Sequence, residues 1–106
     1  MSMRKEVKEK WLQALRSGEY KQGKNCLRAD DKFCCLGVLT DIYAKEKNVE
    51  WRGNVFLGKK NVLPQSVATW AGIFGAPKVA GVLLSAHNDR ESSTFEEISN
   101  LIEENL

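Results

Sequence analysis

At 106 residues, with 42% hydrophobic and 28% charged side chains, the chain has material for one core and no more, so residues 1–106 are expected to form a single globular domain. No apolar run approaches the ~20 residues of a membrane span. A net charge of +2 is too small for a strong nonspecific DNA or RNA binder.

The chain opens on MSMRKEVKEKW, which is charged and amphipathic rather than signal-like, and a cytoplasmic location is expected. A first helix is predicted over Met3 to Ser17, with Val7, Trp11, Ala14 and Leu15 at helical spacing and Gly18 as a left-handed stop. Residues Glu19 to Cys34 suit two or three short strands turning at Gly23-Lys24-Asn25 and at Ala29-Asp30-Asp31, a basic polar hairpin. A second helix is predicted from Cys35 to Glu46, on the stripe Cys35, Val38, Leu39, Ile42 and Tyr43. Lys45 and Lys47 complement its negative end. Gly37 lowers helix propensity there by about 1 kcal/mol against alanine, which points to close packing or close ligand approach.

Beyond it, Trp51, Val55 and Phe56 around Gly53-Asn54 suggest a short hairpin, followed by the basic loop Gly58-Lys59-Lys60-Asn61. Pro64 opens a third helix with Val67, Trp70 and Ala71 inward and Gly72 at its end. Val79, Val82, Leu83 and Ala86 have the spacing of a fourth helix, although so short an apolar run also fits a strand over Val79 to Leu84. A last helix follows Ser93 or Thr94, each paired with a glutamate three residues on (Glu96, Glu97), and carries the stripe Phe95, Ile98, Leu101 and Ile102. The expected architecture is a small, mostly helical α+β domain of about five helices with a short β-hairpin or small antiparallel sheet.

The chemistry-bearing residues favour binding over catalysis. Cys34 and Cys35 start a helix, where a thiol pKa can fall, and His87 with Asp89 could serve them, but Cys35 also belongs to the apolar stripe. An odd count of three cysteines without a C-x-x-C pair argues against both a disulfide framework and a zinc site, and no phosphate-binding glycine motif occurs. No catalytic residue, metal or cofactor is therefore assigned. Basic residues concentrate in the first 60 positions, whereas no Lys or Arg follows Arg90 and five glutamates do. Between the apolar stripes of the first two helices Arg16, Tyr20, Lys21, Gln22, Lys24, Asn25 and Arg28 crowd around Gly18 and Gly23. Arg16, Lys21, Lys24 and Arg28 can meet phosphates, Tyr20 and Trp51 can stack on bases, and Gln22, Asn25 and Asn88 can read base edges. Each of these residues could equally do no more than solvate its turn. His87-Asn88-Asp89 also suits the turn into the last helix.

The series WLQALRSGEYKQGKNCLR, FCCLGVLTDIY, LPQSVATWAG, and HND followed by TFEEISNLIE resembles a widespread group of small phage-encoded proteins, over nearly the whole chain. Through that group the chain resembles the viral anti-CBASS sponge family. The resemblance implies a non-enzymatic homo-oligomer, a dimer or tetramer, acting in the cytoplasm of an infected bacterium. Its ligand would be a cyclic di- or oligonucleotide immune signal, sequestered so that the host effector stays inactive, with no specific DNA or RNA and no membrane as partner. A protein–protein inhibitor of a host factor is the alternative, and a Cys-His enzyme built on Cys34 or Cys35 a further one.

Overall fold

The computed structural model describes residues 3–23, 26–73, 78–79, 82–83 and 94–106. Helix α1 spans Lys5–Ser17 and buries Val7, Trp11 and Leu15, one residue per turn of a single face. Gly18 ends it at φ 80°, a conformation that costs glycine little. Three two-residue strands follow: β1 (Lys21–Gln22), β2 (Arg28–Ala29) and β3 (Lys32–Phe33). β2 and β3 form the expected tight hairpin, with Asp30 at φ 57° in its turn. β1 instead lies parallel to β3 on the other side, in the order β1-β3-β2, so the sheet is mixed rather than antiparallel. Lys24 and Asn25, the expected first turn, lie outside the described residues.

Helix α2 spans Cys35–Lys47 and ends on Asn48 at φ 58°. It starts where it does because the Cys34 side chain takes the N-cap position, Sγ accepting from the Gly37 amide at 3.3 Å. Residues 34–40 are all buried, with Leu36, Gly37 and Thr40 enclosed along with Cys35, Val38 and Leu39 of the predicted stripe, whose Ile42 and Tyr43 are half-buried. The Thr40 hydroxyl is satisfied by the Leu36 carbonyl at 2.8 Å. Gly37 marks a backbone crossing: a Cβ there would collide with the carbonyl oxygen of Leu27. That same carbonyl accepts the Cys34 amide at 3.1 Å.

The segment after α2 is a double turn. Arg52 and Val55 exchange backbone bonds across Gly53-Asn54, and Phe56 and Lys59 do so across Leu57-Gly58. It covers the outer edge of β2, where the Leu27 amide donates to the Lys60 carbonyl at 2.8 Å and the Asp30 amide to Asn54 Oδ1 at 3.1 Å. Helix α3 (Gln65–Ala71) begins after Pro64 and stops at Gly72, φ 78°. The predicted fourth helix is not formed at its start. Lys78–Val79 (β4) pairs antiparallel with Val82–Leu83 (β5), so the stretch holds two short paired strands in place of the single strand of the alternative; Ala86 lies outside the described residues. With only six residues from Val79 to Leu84, the local pattern could not separate the two periods. Helix α4 spans Phe95–Asn105, with Thr94 Oγ1 accepting from the Glu97 amide at 3.2 Å.

The described residues thus contain four α-helices, a three-stranded mixed sheet and a two-stranded one. α1 packs most extensively against α4 and next against α2. Trp11 and Phe56 are the largest fully enclosed side chains. The indole N–H of Trp11 donates to the Cys35 carbonyl at 2.9 Å, so the one polar atom of that ring is satisfied inside the core.

Candidate functional site

The predicted ligand-binding residues do not form one surface. Arg16 is tied to α4, its guanidinium donating to Ser99 Oγ (2.9 Å), Asn100 Oδ1 (3.0 Å) and Glu103 Oε2 (2.6 Å). Lys21 forms an exposed ion pair with Asp31 at 2.9 Å, which holds the Asp31 carboxyl below the usual aspartate range. Gln22, with Arg16 and one side of Tyr20, lines a groove of about 530 Å³ between α1 and the start of α4. Lys24, Asn25 and Asn88 lie outside the described residues.

Tyr20, Arg28 and Trp51 do come together, around two residues that the sequence did not single out. Phe33, on β3, packs edge-on against Tyr20 (ring centroids 5.1 Å apart) and against Trp51 (6.0 Å). The Arg28 guanidinium lies 5.6 Å from the ring centres of both Phe33 and Trp51, in cation–π range of each. Its Nε donates to the Asp30 carbonyl at 2.9 Å, which fixes the plane of the group. Among the described residues no carboxylate pairs with Arg28.

Asp41 is the polar hub beneath these rings. Its Oδ2 accepts the Tyr20 hydroxyl at 2.6 Å and pairs with Lys45 at 3.3 Å, and its Oδ1 accepts the Trp51 indole N–H at 3.0 Å. Only 13% of the Asp41 side chain is exposed, against 73% for Lys45. The Lys45 ammonium also reaches the Tyr20 oxygen at 3.4 Å and lies over the Tyr20 ring. Trp51, the residue expected to stack on a base, is therefore a half-buried ring pinned by its N–H. A sequence signal for Asp41 did exist: it stands one turn before Lys45 on the same helix face. Without knowledge of where β1 and the 49–51 segment meet α2, that pair looked like ordinary helix surface.

Burial and the short bond to the Asp41 carboxylate push the Tyr20 phenol well above its ordinary value near 10. Because the folded state then holds a proton that the unfolded chain loses near pH 10, stability is expected to fall as pH rises above about 10. Urea unfolding of wild type and Tyr20→Phe between pH 8 and 11.5 checks this. The variant should lose less stability than wild type over the alkaline part of that range.

The rim of this cluster opens into a groove of about 380 Å³, whose lining includes Arg28, Asp41, Lys45, Asn48 and Trp51. It adjoins a broader one of about 740 Å³, lined by Val49, Glu50, Trp51, Arg52, Val55 and Leu57; the two share residues 49–51. Chemically, the smaller groove offers a flat guanidinium backed by aromatic rings, an exposed ammonium and a fixed carboxylate. That set can hold an anion beside a planar group. The proposed nucleophiles are placed differently: Cys34 and Cys35 are 4% and 0% exposed, one capping α2 and the other within the core. His87, their suggested base, lies outside the described residues.

No curated protein and no solved structure matches the chain. A family model described as a domain of unknown function, DUF8296, matches residues 3–106, and the chain belongs to that family.

Proposed function

We propose that this protein is a non-enzymatic sponge that captures a cyclic di- or oligonucleotide immune signal for a phage, in the cytoplasm of the infected bacterium, working as a dimer or tetramer. The observation that carries the reading is the Arg28 guanidinium held against Phe33 and Trp51 with Lys45 across the same groove. A base stacks on such a guanidinium–aromatic platform, and phosphate oxygens meet the two cations. The sequence resemblance supplies the ligand class and the oligomer. The site residues under this reading are Tyr20, Arg28 and Trp51 from the sequence, joined by Phe33, Asp41 and Lys45.

Capture of a host protein is the second reading, and the observation in its favour is the exposure of Leu57 (50%) and Val62 (56%) beside the basic double turn. Native mass spectrometry of the protein with a panel of cyclic di- and trinucleotides tests the first. Wild type should retain a ligand that is recovered intact after heating. Arg28→Glu with Lys45→Glu should weaken binding by about a hundredfold or more, as expected for the loss of two charge-assisted contacts. A ligand recovered cleaved would reveal an enzyme. Retention of no nucleotide would sink the sponge reading and leave the host-protein one.

A further inference from the structure

The two adjoining grooves are lined by the cations Arg28, Lys45 and Arg52 and by the carboxylates Asp41 and Glu50. Their ionisable lining among the described residues therefore carries one net positive charge, little for a surface meant to hold phosphates. The two acids also differ in how they are held. Asp41 is fixed by Tyr20, Trp51 and Lys45, so it cannot swing away from an incoming anion, and it already offsets the Lys45 charge at 3.3 Å. Glu50 is exposed and belongs to the lining of both grooves, so a ligand long enough to occupy the two passes beside it.

We infer that Asp41 and Glu50 make this site selective for nucleotides whose phosphates are all internal diesters, against those bearing a terminal phosphate. The inference rests on the nucleotide-binding reading above. A diester carries one negative charge, whereas a terminal monoester carries about −1.5 to −2 near neutral pH. One diester can exchange with Asp41 as the partner of Lys45 while another group stacks at Arg28. A terminal phosphate brings a second charge that the lining does not balance, and it meets the two carboxylates at close range. Selectivity of this kind comes from repulsion built into the site and not from an extra attractive contact. It would also keep abundant nucleoside triphosphates and nucleic-acid ends out of a groove that must stay available for a scarce signal.

The test compares linear ligands that differ by the terminal phosphate alone, so that ring closure is not a variable. Calorimetry is run with ApA and pApA, with GpG and pGpG, and with the corresponding cyclic dinucleotides, on wild type, Glu50→Gln and Asp41→Asn. In the preferred base series wild type should bind the unphosphorylated linear form about tenfold tighter than its 5′-phosphorylated form. Glu50→Gln should shrink that ratio several-fold, because removing its charge relieves a terminal phosphate of about −2 more than a diester of −1. Asp41→Asn should shrink it further. Because Glu50 is exposed, its variant keeps the test clear of any folding defect at Asp41. Equal or tighter binding of the phosphorylated form to wild type, or a ratio unchanged in Glu50→Gln, would overturn the inference and leave the sponge reading standing if cyclic ligands still bind. Failure of every ligand to bind would overturn both.

Discussion

Gly37→Ala is expected to lower the free energy of unfolding by about 3 kcal/mol, the upper part of the range for forcing an extra group into a packed interior. The direction is the informative part. In an exposed helix interior the same change would stabilise by about 1 kcal/mol, because alanine is the better helix former. Here the added methyl meets the Leu27 carbonyl, a backbone atom that no side-chain rotation can move aside. To make room, the chain before β2 must retreat from α2, and the Cys34 amide then loses its bond to that carbonyl. The Leu27 side chain, fully buried, moves with it. Urea denaturation of the pair settles the sign. A midpoint equal to or above wild type would mean that the crossing is looser than described and that Gly37 has another reason to be there.

Trp11→Ala is expected to cost about 4 kcal/mol, within the usual range for emptying a large aromatic site. Trp11 is 0% exposed and lies between α1 and α2, with its N–H on the Cys35 carbonyl. The substitution thus removes the ring and the hydrogen bond together. Trp11→Phe separates these terms: it keeps most of the apolar volume and should lose about 2 kcal/mol, from the missing bond and the smaller ring. Thermal and urea unfolding of both variants gives the comparison. Equal losses would show that the hydrogen bond, and not the volume, dominates at this position.

The helices were legible where a local signal fixed both the face and the ends. Val7, Trp11 and Leu15 with Gly18 define α1, and the Thr94–Glu97 cap defines the start of α4. For α2 the predicted stripe covered only part of what is enclosed, since Leu36, Thr40 and Ala44 are buried as well. Periodicity can name the first face that a helix buries, but it cannot say that a second element, here the turn at Leu27, covers another. Between α1 and α2 the region that holds the strands was legible, but their bounds and their pairing were not. A two-residue strand has no period to read, and its partner is chosen by whatever the flanking helices bring alongside. β1 enters from α1 and β3 leaves into α2, both running the same way, so they pair in parallel.

The candidate site was legible in part for the same reason. Tyr20, Arg28 and Trp51 were identified from their chemistry, and they do meet. Arg16 was identified on identical grounds and proves to be a brace for α4. Charge and side-chain type are local properties, whereas the choice between a ligand and an internal carboxylate depends on residues up to 87 positions away.

That brace has a bearing on how the protein is made. α1 is the first helix of the domain to leave a ribosome and α4 the last, yet they are each other's most extensive partner. Until α4 emerges, the growing chain holds Val7, Trp11 and Leu15 on a helix whose covering is incomplete, and Arg16 and Lys8 have no Glu103 to engage. α2 shields part of this surface earlier, which limits the exposed interval but does not end it. Packing of the domain therefore closes only after its final helix has been synthesised, and until then the nascent chain leaves part of the apolar face of α1 uncovered.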